Sequence, residues 1–274
     1  MAKQPAHDDL LDIQGNLVGF LKDHQRLLFV NFPDPASGKR FVGAMADEVN
    51  SASEVRAYNR RYKDMVKRHE DLLSEPADWV NVALRASGLA LIAAPGHETF
   101  PQAFQQGMRE RAAELGDVDS SDPSAWVRAF APAAPAVHAV VIIAADLPDL
   151  LDDRTSKVRE IIQSSGVSEN PANAEDGNAR PGEFRGHEHF GFKDGISQPS
   201  IPGLVSSSRG GDSIAAGEFV LGYEDQDGHV AGTAVPQAEH PTQPSVPGIP
   251  IQRRRPPLTC LRGRAMALFW STGD

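Results

Sequence analysis

Apolar residues recur along the chain with two periods, and each period predicts a different kind of element. Alternation at every second residue, or a short unbroken apolar run, predicts a strand, whereas apolar residues three and four positions apart predict a helix. By these criteria the predicted strands are residues 26–32, 79–84, 137–145 and 187–192. The predicted helices are residues 37–50, 86–91, 100–116 and 148–164, with a charged helical insertion within residues 51–75. This mixture predicts an α+β fold.

The segments between these elements carry their own local signals. Ser37 is the expected N-cap of the first helix, Gly15 suits a turn before the first strand, and Gly166 follows the last helix. Residues 169–182 are polar and predict a loop, and residues 230–251 are rich in proline and predict an extended loop.

Composition narrows the choice of partner and compartment. The 274 residues carry a net charge of -10 at pH 7, which argues against binding to nucleic acid. A single cysteine, Cys260, excludes an internal disulfide and a cysteine-based metal cluster within one chain. No apolar run is long enough to span a membrane, and residues 1–9 lack the basic and apolar regions of a signal peptide. We therefore expect a cytoplasmic protein with no membrane partner, or one exported only inside an assembly.

The stretch with the most chemical character is residues 187–199. Asp194 lies in it between Gly191 and Gly195, and glycines at those positions would let a flat ligand come close to the backbone. Without further context the residues favour a simpler interpretation, in which Asp194 is a turn or helix-cap aspartate.

The same stretch holds a dense group of histidines. On a strand, His187 and His189 would point to one face and Glu188 to the other, so the three side chains would not converge on one ion. We interpret them as surface residues flanking a strand, and a metal site at the two histidines is an alternative that metal retention after dialysis would test.

The context of Asp194 resembles a known family. Gly191-Phe192-Lys193-Asp194-Gly195 has the Gly-x-x-Asp-Gly pattern of the dye-decolourising (DyP-type) heme peroxidases. Residues 188–190 before it and 196–199 after it are similar to the same family, as is Asp12-Ile13-Gln14-Gly15-Asn16-Leu17 near the start. The resemblance extends from about Asp9 to about Val246.

The resemblance implies a particular fold. It is a ferredoxin-like antiparallel β-sheet with helices packed on one face, forming the first half of a two-domain dimeric α+β barrel. The expected division places the ferredoxin-like domain in residues 1–204, the start of a second domain with the proline-rich loop in residues 205–252, and a non-native tail in residues 253–274.

The resemblance also implies a chemistry: oxidation of small organic donors, dyes and phenols among them, by hydrogen peroxide at heme b. It makes Asp194 the expected catalytic acid–base residue. The residues expected to contact the cofactor are Gly191, Phe192, Gly195, Ile196, Ser197 and Gln198. In the family the proximal histidine and the distal arginine lie downstream of the matched region. No metal ligand is therefore expected in this chain, and poor heme binding and weak or absent activity are expected of it.

The composition changes abruptly near the end of the chain. Five arginines lie between Arg253 and Arg264, whereas the preceding residues hold 22 basic (27 minus 5) and 36 acidic residues (37 minus Asp274). Reading residues 265–274 in the alternative frame permits the string Asn-Gly-Ser-Phe-Leu-Val-Tyr-Arg-Arg, which resembles a later motif of the family. We therefore expect a frameshift between about Val246 and Arg255, which one DNA read across codons 240–274 would test. The alternative is a genuine basic tail for anionic partners.

The sequence also allows a function that is not enzymatic. The chain would then be a non-enzymatic ferredoxin-like module or an inactive remnant, forming homo-oligomers through an exposed sheet face or edge. Heme uptake and peroxide-dependent dye oxidation separate the two classes.

Overall fold

The computed structural model describes residues 4–19, 22–193, 199–206 and 212–230. Within these ranges the strands are β1 (His24–Asn31), β2 (Asp78–Leu84), β3 (Ala139–Ala145), β4 (Ser168–Glu169) and β5 (Glu175–Asn178). The α-helices are α1 (Pro35–Met45), α2 (Ala52–Arg68), α3 (Ala86–Leu91), α4 (Gln102–Glu110) and α5 (Pro148–Ser165). None of these helices has both the length and the apolar character needed to cross a membrane.

The strands form one antiparallel sheet in the order β2-β3-β1-β4, and β5 continues the fourth position by pairing with the first half of β1. This is the strand order of a ferredoxin-like unit, so the predicted fold class is confirmed. The predicted fourth strand was wrong. Residues 187–192 form a tight turn, and the fourth position is taken by β4 and β5, which lie in the segment predicted to be a polar loop.

Ion pairs help to hold β5 on the sheet. Arg26 of β1 donates from Nε and Nη2 to the two carboxylate oxygens of Asp176, at 2.7 and 2.9 Å. Arg128 donates to Glu175 at 2.6 Å. Because Glu175 and Asp176 are charged and about half exposed, β5 lacks the apolar alternation by which strands are recognised in a sequence.

Replacing Asp176 by asparagine should reduce stability in a pH-dependent way. Hydrogen bonding to Arg26 lowers the pKa of Asp176 below its ordinary value. Its stabilising contribution is therefore complete at neutral pH and is lost as the pH falls through the folded-state pKa. We expect D176N to cost up to about 1 kcal/mol at pH 7, because the pair is half exposed. Urea unfolding of the wild-type protein and of D176N at several pH values measures this loss of stability. A difference in stability that persists unchanged at pH 2 would contradict the role given to the ionised Asp176.

Two helix boundaries differ from those predicted. The side chain of Asp34, not that of Ser37, caps α1 by accepting from the Ser37 N–H at 2.9 Å, and Pro35 occupies the first helical position. Proline suits that position because its fixed φ is helical and its missing N–H is not needed there. The helix predicted for residues 100–116 ends at Glu110 and is interrupted at Gly107, whose φ is +71°.

The main core lies between the sheet and the helices α1 and α5. Alternate residues of the strands point into it, including Leu28, Val141 and Ile143, and they meet Phe41 of α1 and Val158 of α5. The helices therefore cover one face of the sheet, as predicted. On the opposite face, the apolar side chains of Leu27, Phe29, Val140 and Ile142 are only half buried.

A second apolar cluster joins the two ends of the described chain. Leu10 and Ile13 pack with Ile201, Leu204 and Tyr223, among other residues. The hydroxyl group of Tyr223 donates to Asp9 at 2.6 Å. Ile201, Leu204 and Tyr223 are thereby fixed against the N-terminal segment.

The opening motif contributes a buried polar network. Gln14 Oε1 accepts from the Val82 N–H at 2.9 Å and from Asn81 Nδ2 at 2.8 Å, while Gln14 Nε2 donates to the Val82 carbonyl oxygen at 2.9 Å. Asn81 Oδ1 accepts from the Asn16 N–H at 3.1 Å. The motif therefore attaches the N-terminal segment to β2.

Gly15 should not tolerate a side chain. A Cβ there would lie 3.1 Å from the Ser51 carbonyl oxygen and would overlap the Val55 side chain. We expect Gly15→Ala to lower the free energy of unfolding by about 1–3 kcal/mol, because the backbone must shift. Gly177→Ala is the matched control, since its Cβ would meet Gln25 at an ordinary 3.8 Å. Equal stability of the two variants in urea would contradict this account.

A buried ion pair lies beside α2, where β1 begins and β3 ends. Lys22 Nζ lies 2.7 Å from Asp146 Oδ2 and 4.2 Å from the ring centroid of Tyr58, and the Lys22 side chain is only 3% exposed. Burial lowers the pKa of Lys22. The same carboxylate oxygen accepts from the Ala77 N–H at 2.8 Å and from the Tyr58 hydroxyl at 3.2 Å.

Candidate functional site

The candidate site follows β5, at the edge of the sheet. The Ala179 N–H donates to the Asp23 carbonyl oxygen at 2.7 Å, and the guanidinium of Arg185 lies 2.7 Å from the Asp23 carboxylate. The chain therefore leaves the sheet beside the beginning of β1 and is held there by two contacts with one residue.

Residues 187–193 form a narrow hairpin turn. The Gly191 N–H donates to the Glu188 carbonyl oxygen at 3.0 Å, and the Glu188 N–H donates to the Phe192 carbonyl oxygen at 2.7 Å. His187 and Lys193 pair antiparallel at its base. Gly191 has a φ of +95°, a conformation that glycine adopts without steric cost. The glycine is therefore required by the turn itself.

The hairpin presents apolar rings to solvent. Phe190 is 88% exposed and Phe192 is 70% exposed. The guanidinium of Arg180 lies 4.5 Å from the ring centroid of Phe184 and donates to the Glu188 carbonyl oxygen at 2.6 Å. Exposed rings beside cationic side chains form a surface that suits a ligand with an apolar plane and anionic groups.

The structure describes only part of the predicted site. Gly191 and Phe192 lie in the hairpin, as given above. The other predicted site residues lie outside the described residues: Asp194, Gly195, Ile196, Ser197 and Gln198. The described chain resumes at Pro199, and Ile201 and Leu204 are anchored in the second apolar cluster.

Histidines near the hairpin do not assemble a metal centre. In the described ranges there is no group of three or more His, Cys, Asp or Glu side chains that could hold a metal ion. His187 contacts the Arg185 carbonyl oxygen, and His189 lies exposed in the turn.

Phe190 was not identified from the sequence. Its ring is the most exposed of the large apolar side chains in the described residues. The signal that points to it is a pair of phenylalanines on either side of Gly191, because apolar rings next to a turn glycine have little chain to pack against.

Comparison with known proteins places the chain in a family. Residues 12–181 match the family described as the DyP dimeric alpha+beta barrel domain. "Peroxidase 2" of Mycetinis scorodonius is 30% identical over 222 residues, covering 80% of this chain and 39% of that protein. The chain belongs to the DyP-type peroxidase family and corresponds to its N-terminal portion.

Solved structures agree with this assignment. A mutant dye-decolorizing peroxidase from Pleurotus ostreatus is 26% identical with a TM-score of 0.66, covering 82% of this chain and 47% of that one. A dye-decolorizing peroxidase in complex with 2,6-dimethoxyphenol is 30% identical with a TM-score of 0.61, over the same shares of the two chains. The chain thus spans less than half the length of the relatives it matches.

The family implies a heme, and the hairpin fits such a group in part. Phe190 and Phe192 expose ring surface that a flat apolar group would cover, and nothing lies within 4 Å of a Cβ built on Gly191. The guanidinium of Arg180, which bonds to the hairpin at the Glu188 carbonyl oxygen, supplies positive charge nearby for carboxylate groups. The described residues therefore expose apolar surface of the kind that a heme would cover, and they contain no group of three or more His, Cys, Asp or Glu side chains that could hold a metal ion.

Proposed function

We propose that this chain is the N-terminal part of a peroxidase that binds heme b and oxidises small organic donors, dyes and phenols among them, with hydrogen peroxide. The observation that carries the proposal is the Gly191 hairpin. It follows the last strand of a DyP-type domain, exposes two aromatic rings, and leads directly into Asp194. The relative solved with 2,6-dimethoxyphenol supports a phenolic donor.

Each residue of the stretch has a proposed role. Phe192, Gly191, Gly195, Ile196, Ser197 and Gln198 would line the cofactor, and its iron would supply the redox chemistry when bound. The carboxylate of Asp194 would accept a proton from one oxygen of hydrogen peroxide and return it to the other, so that the O–O bond breaks with water leaving. This role requires a deprotonated carboxylate when peroxide arrives.

A chimera tests the proposal. Residues 1–230 of this chain would replace the matching part of Peroxidase 2, whose remaining part would supply what this chain does not cover. We expect the chimera to take up hemin, to develop a Soret band and to oxidise 2,6-dimethoxyphenol with peroxide, while the 274-residue chain alone does so weakly or not at all. The intact relative is the control. A folded chimera that binds hemin without turnover above that of free hemin would refute the proposal.

One observation favours a second candidate, a non-enzymatic module. The sheet face that carries Leu27, Phe29, Val140 and Ile142 is apolar and only partly buried. A second copy could cover it. This alternative would be supported if the 274-residue chain self-associates and the chimera does not bind hemin.

Two expectations from the sequence stay predictions. The division at residues 204 and 205 would be tested by limited proteolysis, and the cytoplasmic location by fractionation of the producing cells. The proposed division crosses the second apolar cluster, to which both Leu204 and Tyr223 belong.

A further inference from the structure

A cavity of about 300 Å³ lies away from the hairpin, where the N-terminal segment, α2 and the chain after position 200 meet. His7, Ser53, Arg56, Arg60 and Gly203 line it, together with apolar residues of the N-terminal segment. Its volume is at the small end of the range for ligand pockets. A ligand that fits it would be compact.

The charge of the residues that line this cavity is opposite in sign to the net charge of the chain. The protein carries a net charge of -10, yet two guanidinium groups line the cavity, and no carboxylate does among the residues described. Two carboxylates close in sequence to the lining residues, those of Asp9 and Glu54, are engaged in other hydrogen bonds. Asp9 accepts from the Ala6 N–H at 2.9 Å and from Tyr223, and Glu54 accepts from the Ser51 N–H at 2.7 Å.

The polar groups of the cavity are arranged on one helix face. Ser53, Arg56 and Arg60 are three and seven positions apart on α2, so their side chains project to the same side. Arg56 Nη1 donates to the Gly203 carbonyl oxygen at 2.8 Å, which fixes its guanidinium in place. Arg60 forms no ion pair with the described residues. Most guanidinium donors at the site therefore remain available to a ligand.

We propose that this cavity binds a small oxyanion, a phosphate or a carboxylate group, through Arg56 and Arg60. The planar fork of a guanidinium matches the paired oxygens of both groups, and the resulting hydrogen bonds are charge-assisted. Ser53 and His7 add a hydroxyl and an imidazole donor. The site is separate from the proposed peroxidase chemistry and does not depend on it.

Calorimetric titration of the 274-residue chain tests this site. Sodium phosphate and sodium malonate are titrated separately, in sodium chloride adjusted to constant ionic strength, so that general screening does not register as binding. Saturable binding of either probe supports the proposal, and the probe that binds identifies the group. Absence of saturable heat with both probes overturns it.

Two neighbouring arginines provide matched variants. Arg60→Gln should weaken binding about tenfold, because one charge-assisted contact is lost. Arg61→Gln makes the same change in charge on the next residue, which is 61% exposed and pairs with Glu75, so it should leave the affinity unchanged. Equal weakening by both variants would show unspecific attraction and overturn the proposal. Ser53→Ala, a smaller change, should weaken binding a few-fold, and it decides the matter if R60Q does not fold.

Discussion

Replacing Asp146 by alanine is expected to lower the free energy of unfolding by about 3–5 kcal/mol, because the change leaves a buried charge without its partner. Lys22 is 3% exposed and would keep its contacts with the Tyr58 and Trp79 rings and the weaker attraction of Asp78 and Asp23. The Ala77 N–H and the Tyr58 hydroxyl would lose the same acceptor. Urea or thermal unfolding of the variant measures the loss.

Two further variants separate the buried charge from a general effect. Lys22→Met combined with Asp146→Ala should recover part of the stability, since the double variant buries no unpaired charge. Asp64→Ala removes a surface carboxylate that is 60% exposed and paired with Lys67, and it should change stability by less than about 0.5 kcal/mol. A loss under about 1 kcal/mol for D146A would mean that water reaches Lys22 readily.

Replacing Asp194 by asparagine in the chimera with Peroxidase 2 is expected to reduce peroxide-dependent turnover by about 10²–10⁴-fold, the usual contribution of a general acid–base group. Asparagine has nearly the same shape but cannot accept and return a proton. Hemin affinity should be unchanged, because the proposed role of the carboxylate is proton transfer. Steady-state oxidation of 2,6-dimethoxyphenol and a hemin titration measure the two quantities.

The hairpin offers a control for Asp194. Glu188→Gln removes another carboxylate only six positions away, and the side chain is exposed, so turnover should be unaffected. Full turnover by D194N would remove Asp194 from the proposed chemistry. A loss of hemin binding parallel to the loss of turnover would show that the residue supports the fold of the site.

Apolar periodicity predicts an element correctly where that element is buried against the main core. The run of valine and isoleucine in β3 and the spaced apolar residues of α5 gave elements that match within two residues at each end. Both β3 and α5 contribute buried residues to the main core, so core packing and the apolar pattern of the sequence favour the same secondary structure. The strand β5 was not predicted, because it is held by ion pairs with Arg26 and Arg128 instead of apolar contacts. Such pairs depend on residues that are far away in the chain.

The site shows the opposite case, in which a short pattern misleads. Residues 187–192 alternate in the way expected of a strand, yet Gly191 takes a positive φ and closes a turn within the same six residues. A segment of six residues is too short for its pattern to distinguish a strand from a turn. The arginine-lined cavity could not be inferred at all, because His7, Arg60 and Gly203 are brought together only by the fold.

Ile13 and Tyr223, which share the second apolar cluster, bear on how the protein is made. The two residues are 210 positions apart (223 minus 13) and belong to one buried cluster. A ribosome adding about 5–20 residues per second needs roughly 10–40 s to reach the second after the first has been translated. Throughout that interval Ile13 has no neighbour from residues 201–223, while Gln14 can already bond to β2, so the N-terminal segment is attached early and its apolar cluster is completed late.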